Sequence, residues 1–144
     1  MKWIEYLIGF ARHAALKSKD TTKVGAVAVG KSKNILETGF NGIPRGVVDL
    51  PERMERPQKY LWTGHAEENL VAHAARSRLE GSTVFVTHIC CARCARMLIN
   101  AGVARVVYGT SAFAQGSAIV DEISVAKQMF LEAGVVCERA DEAV

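Results

Sequence analysis

Short β-branched runs alternate with stretches of helical period through most of this chain, and that alternation confines it to the α/β class. Val24-Gly25-Ala26-Val27-Ala28-Val29 reads as a buried strand, and Gly30 to Asn34 as a hairpin turn into a second strand, Ile35 to Asn41. Thr83-Val84-Phe85-Val86-Thr87, Ala104 to Tyr108 and Val135-Val136-Cys137 read as three more. The spacing of Trp3, Ile4, Leu7, Ile8, Ala11, Ala14 and Ala15 predicts an amphipathic helix over residues 2–17. A second helix is predicted with Thr63 as N-cap, Leu70, Val71, Ala74 and Ala75 as its buried stripe and Gly81 as its stop. Two more run from Cys91 to Asn100 and from about Ala118 to Ala133. A hairpin followed by strand–helix–strand units implies a mixed sheet with helices on both faces.

A chain of 144 residues forms one domain over residues 1–144. No apolar run approaches the roughly 20 residues that span a bilayer, so no membrane helix is expected. The formal charge is +3, and the basic residues run from Lys2 to Arg139 without a block, so no nucleic-acid footprint is expected. The N-terminal apolar stretch is interrupted by Glu5 and Arg12, unlike a secretory signal. A cytoplasmic setting follows, with the four cysteines reduced. All three prolines lie between Gly42 and Tyr60, which predicts a long surface loop of functional kind.

Three of the cysteines, Cys90, Cys91 and Cys94, fall close together where a helix is predicted to begin. His65-Ala66-Glu67 falls near the start of the preceding helix. Two cysteines at i and i+3 point to one side of a helical turn and can share an ion. One histidine with two thiolates makes a soft tetrahedral set with a fourth position open, the mark of a catalytic zinc. On an ideal helix His65 and Glu67 diverge by about 200°. They can meet only around something just off the helix N-terminus, where anions are stabilised. Glu67 is then a proton shuttle rather than a ligand.

His-x-Glu followed by Cys-x-x-Cys matches the signature of zinc-dependent nucleobase deaminases. Cys90 stands where that signature has proline, and its thiol could compete as a ligand. The stretches Lys23-Val24-Gly25-Ala26-Val27, Gly39-Phe40-Asn41-Gly42-Ile43-Pro44-Arg45-Gly46, His65-Ala66-Glu67-Glu68-Asn69 and Ala101-Gly102-Val103 follow one another in an order that resembles the deoxycytidylate (dCMP) deaminases. The resemblance covers nearly the whole chain. It implies a three-layer α/β/α cytidine-deaminase-like fold with a central five-stranded mixed sheet. It also implies hydrolysis of dCMP to dUMP and ammonia, with zinc hydroxide attacking C4 and Glu67 protonating N3 and then the amine.

By the same resemblance, His65, Cys91 and Cys94 would hold one Zn2+ per chain. Asn41 would bind the sugar, Gly25 and Ala26 would line the base pocket, and Ala66 with Thr87, His88 and Ile89 would hold the base edge. Arg45 is the candidate for the 5′-phosphate, because a guanidinium matches phosphate geometry. Many family members are homohexamers activated by dCTP and inhibited by dTTP, and the resemblance implies an effector near Gly39, Phe40 and Gly42. The turn Thr110 to Gln115 departs from the family, since it lacks the usual acid and Tyr or His. Two alternatives stay open: another substrate (a nucleoside, a modified cytosine nucleotide, guanine, or a base in a polynucleotide), and a zinc-stabilised binding module in which His88, Cys90, Cys91 and Cys94 form a knuckle.

Overall fold

The computed structural model describes the backbone of residues 1–111 and 117–143, and the side chains of 1–111 and 121–143. Five strands form one sheet in the order β2-β1-β3-β4-β5: β1 Gly25–Val29, β2 Ile35–Phe40, β3 Thr83–His88, β4 Arg105–Ser111 and β5 Val136–Arg139. The hairpin pair β1–β2 and the pair β1–β3 are antiparallel, whereas β3–β4 and β4–β5 are parallel. The sheet is therefore mixed.

Alternation along the strands divides the core. Val27, Val29, Phe85 and Val107 pack beneath Leu7, Ile8 and Ala11 of α1 (Trp3–Ala15). Ala26, Ala28, Val84, Val86 and Val106 face the other way. There they meet Leu70, Leu98 and Phe130 from three helices: α3 (Ala66–His73), α5 (Ala92–Asn100) and α6 (Ser117–Ala133). A side-chain period of two is what allows one strand to feed both layers. One helix thus covers one face and the site-bearing helices cover the other, in three layers.

Two close approaches set the layers. A Cβ on Gly25 would lie 2.0 Å from the Ala11 carbonyl oxygen, so β1 touches α1 at this point. A Cβ on Gly39 would lie 2.4 Å from the Ala66 carbonyl oxygen, so β2 touches the first turn of α3.

The structure corrects the helix predicted from Thr63 to Gly81. Thr63 ends a one-turn helix, α2 (Lys59–Trp62), and α3 begins only at Ala66, capped by His65. α3 stops at His73, Ala74 turns extended, and a one-turn helix α4 (Arg76–Leu79) follows. The reason lies in the core. Nine residues at about 100° each would put Leu79 on the side of the helix opposite Leu70. The break lets both be buried, at 1% and 0% exposure. Ala75, expected in the buried stripe, is exposed. The proline loop also holds more structure than expected, a 3-10 turn at Pro51–Met54 as well as α2.

Candidate active site

β2, β3 and the loops after them deliver the chemistry to one place. β3 ends at His88, and three residues later Cys91 caps α5. His65 caps α3, which lies beside α5 on the same face of the sheet. Both caps have extended backbone, so His65 and Cys91 stand just ahead of the first helical turns rather than within them. The loop before α3 is fixed by a two-way backbone pair, Gly42 with Gly64. Glu68 then ties the site together, accepting the His65 backbone N–H at 3.2 Å and the Arg93 guanidinium at 2.6 Å.

His65 Nδ1 lies 3.3 Å from Cys94 Sγ and 3.4 Å from Cys91 Sγ. The three ligand atoms all fall within 4.8 Å of one another. Bond lengths of about 2.3 Å to sulfur and about 2.0–2.1 Å to nitrogen in a tetrahedron imply separations near 3.6 Å, so the set fits zinc. It is the one group with metal-ligand geometry among the described residues. Cys90 and His88 lie outside it, so the knuckle alternative is not what the fold assembles. Cys90 is 1% exposed, its thiol donates a hydrogen bond to the Glu67 carboxylate, and burial pushes its ionisation well up.

The electrostatics favour a soft cation. Cys91 is pushed down to about 3, chiefly by its hydrogen bond with Cys94 and also by its bond to His65. Cys94 is held up by the same bond and by burial. His65 rises above its ordinary value through the Cys91 hydrogen bond. Glu67 is 4% exposed, and burial raises its carboxyl above the usual range.

A cavity of about 310 Å³ opens onto this group, lined by His65, Ala66, Glu67 and Cys91, with Val24, Asn41 and Ile89 above them. Glu67 is thus a buried acid at a cavity wall, beside a metal set that it does not join. A larger cleft of about 930 Å³ lies between α1 and Ala140–Ala143 and holds none of these groups.

The other expected residues are placed differently from one another. Asn41 is 9% exposed and braced at both amide atoms: its Oδ1 accepts the Val24 N–H and its Nδ2 donates to the Thr22 carbonyl. Thr87 and His88 are buried behind Ile89; Thr87 Oγ1 accepts the Gly25 N–H and lies 2.8 Å from His88 Nδ1. Gly25 and Ala26 are absent from the cavity lining, Gly25 being turned to α1 and Ala26 to the core. Phe40 ends β2, Gly42 and Arg45 lie in the loop after it, with Arg45 exposed and outside the lining, and Gly39 is covered by α3. The turn Thr110 to Gln115 is described only through Ser111; its remainder lies outside the described residues.

Sequence reasoning missed the charged lining residues Asp20, Arg56, Lys59 and Glu122. Asp20 reads as part of a polar break, and Arg56 and Lys59 read as a solvated loop. Lys59 is in fact 6% exposed and donates to Asp20 Oδ1 at 2.9 Å. Nothing local marks a lysine for burial when its partner lies 39 residues away.

The cytidine and deoxycytidylate deaminase zinc-binding region matches residues 1–110. The chain belongs to this family. A deaminase of Aliivibrio fischeri is 40% identical over 93% of this chain and 90% of its own length. Human deoxycytidylate deaminase is 31% identical over 94% of this chain and 78% of its own. The dCMP deaminase of cyanophage S-TIM5, solved with dCMP and dUMP, superposes with a TM-score of 0.70 at 28% identity, covering 94% of each chain. Its apo form gives 0.72 at 30% identity, covering 96% of this chain and 99% of its own. This deaminase-family chain therefore has the three-layer cytidine-deaminase-like fold and is a zinc-dependent enzyme. No helix among its described residues is long and apolar enough to cross a membrane.

Proposed function

We propose that the chain hydrolyses deoxycytidine 5′-monophosphate to deoxyuridine 5′-monophosphate and ammonia. The observation that carries this reading is the buried Glu67 carboxylate on a cavity wall shared with His65 and Cys91, in a chain of this family. Zinc, when bound by His65, Cys91 and Cys94, supplies the positive charge that acidifies a water to a nucleophile near neutral pH. Glu67 takes the proton from the attacking water and delivers protons to ring N3 and to the departing amine. Water adds at C4 and the carbon–nitrogen bond breaks, so one water is consumed for each ammonia released. Ala66 and Ile89 border the base, and Asn41 holds the sugar with the lone pair and N–H its bracing leaves unused. Burial of Glu67 keeps competing water from the carboxylate and strengthens its hold on the proton.

Glu67→Gln tests this. The variant is expected to keep about one zinc per chain and the wild-type urea midpoint, and to lose turnover by at least roughly 10²-fold. Full turnover by Glu67→Gln would refute the role. A substrate panel of dCMP, deoxycytidine, cytidine and guanine decides the substrate, and a preference for guanine or a nucleoside would overturn the dCMP reading.

The same reading extends to a cytoplasmic homohexamer that responds to dCTP and dTTP. Val48, Leu61 and Leu131 are 62%, 83% and 73% exposed, apolar surface that a partner copy would cover. Effector contacts would come from Phe40 and Gly42. Light scattering with and without dCTP tests both, and a monomer indifferent to dCTP would end the extension.

A further inference from the structure

The cavity lining carries two cations on one short segment, Arg56 and Lys59. Lys59 is the unusual one. Its side chain is 8% exposed, and its ammonium donates to Asp20 Oδ1 at 2.9 Å and faces the Tyr60 ring at 5.7 Å. An ammonium has three donors, and a buried one left short of acceptors is costly. Asp20 itself is held by the Thr22 N–H and is the only acceptor given to Lys59 Nζ among the described residues. A buried ion pair adds little to stability by itself. What this pair does is hold the ammonium of a cavity-lining lysine in one place, beside a carboxylate that lines the same cavity. Arg56 sits three residues earlier, exposed at the same cavity and without an ion pair among the described residues. Its guanidinium can grip a phosphate with two parallel N–H bonds. Arg45, the phosphate candidate of the sequence, is exposed and outside the lining.

We propose that Lys59, held by Asp20, and Arg56 bind the phosphomonoester of the nucleotide substrate and so set the preference for a monophosphate over a nucleoside. The proposal rests on the deamination reading for its substrate. One cavity of about 310 Å³ joins these cations to Glu67, so base and phosphate share one continuous lining. Asp20 contributes as a positioning residue. Glu122 also lines the cavity, as an exposed carboxylate that opposes the dianion. Removing it should strengthen the preference.

The experiment measures kcat/KM for dCMP and for deoxycytidine on zinc-loaded wild type, Arg56→Ala, Lys59→Met, Asp20→Asn and Glu122→Gln. The readout is the ratio of the two constants. Each charged contact to phosphate is expected to change that ratio by roughly 10–100-fold. Arg56→Ala and Lys59→Met should lower it through KM for dCMP, Asp20→Asn should lower it less, and Glu122→Gln should raise it. Arg56 is exposed, so its variant stays informative if Lys59→Met fails to fold. Equal losses on both substrates, or unchanged ratios in Arg56→Ala and Lys59→Met, would overturn the proposal. Failure of the deamination reading shows separately, as wild type that turns over neither substrate. Calorimetry of dUMP against deoxyuridine then reads the same ratio on the same variants, and equal binding of the two by wild type would also refute it.

Discussion

Gly39→Ala should disable the site without touching a catalytic group. The added Cβ would stand 2.4 Å from the Ala66 carbonyl oxygen, 2.8 Å from the Leu70 nitrogen and 2.9 Å from Leu70 Cβ. Ordinary contact begins near 3.4 Å, so α3 must retreat from β2 by about 1 Å at Ala66. Ala66 lies between His65 and Glu67, so the retreat carries a metal ligand and the proton shuttle with it. Overpacking of this kind costs about 1–3 kcal/mol of stability. A displacement of about 1 Å at reacting groups costs on the order of 10²-fold in rate. Gly25→Ala is the matched control, because its Cβ would strike Ala11 and Ala15 of α1 on the opposite face, the nearest atom at 2.0 Å. It should destabilise at least as much while the folded protein keeps most of its kcat. Urea midpoints, zinc per chain and kcat on dCMP, measured at a temperature where both variants are folded, give the answer. Equal losses of kcat in the two variants would show that the Gly39 approach does not position the site.

Cys94→Ala should lower zinc below about 0.1 per chain after dialysis against a chelator, since a three-ligand site loses a thiolate; retained stoichiometric zinc would refute that ligand assignment. Asp20→Asn should cost about 1–3 kcal/mol at pH 7, because the buried Lys59 keeps only a neutral acceptor. Burial pushes the Asp20 carboxyl up, but the Thr22 N–H and Lys59 outweigh it and hold its pKa below 3.8. Its stabilisation is therefore complete above pH 3.8 and lost as pH falls through the lower folded value. Urea midpoints of wild type and Asp20→Asn should converge below about pH 3.8, and parallel curves there would contradict the sign. Phe85→Ala, at 2% exposure beneath α1, should cost about 3–5 kcal/mol while the folded fraction keeps its zinc.

What the sequence carries legibly is what neighbours in sequence decide. Cys91 and Cys94 are three apart and meet at the N-terminus of α5, one as its cap and one in its first turn, whatever the rest of the chain does. β1, β3 and β4 are legible because each feeds both core layers, leaving β-branched and alanine runs bounded by turn residues. The break in α3 is not legible, since no proline or glycine marks Ala74. It follows from where Leu79 must go, and that is known only once the sheet exists. The lining residues Asp20 and Lys59 fail for the same reason at longer range. Each sits in a polar stretch that looks solvated until the Gly42–Gly64 backbone pair folds the proline loop back over the cavity. Gly25 and Gly39 show a third case. Both lie in stretches that carry the family resemblance, and both invite a ligand role. In the fold each is small because a helix backbone passes within contact of it. For Gly39 packing and function converge, because the helix it admits carries His65 and Glu67. Conversion of that glycine to any larger residue moves the chemistry before it moves the fold.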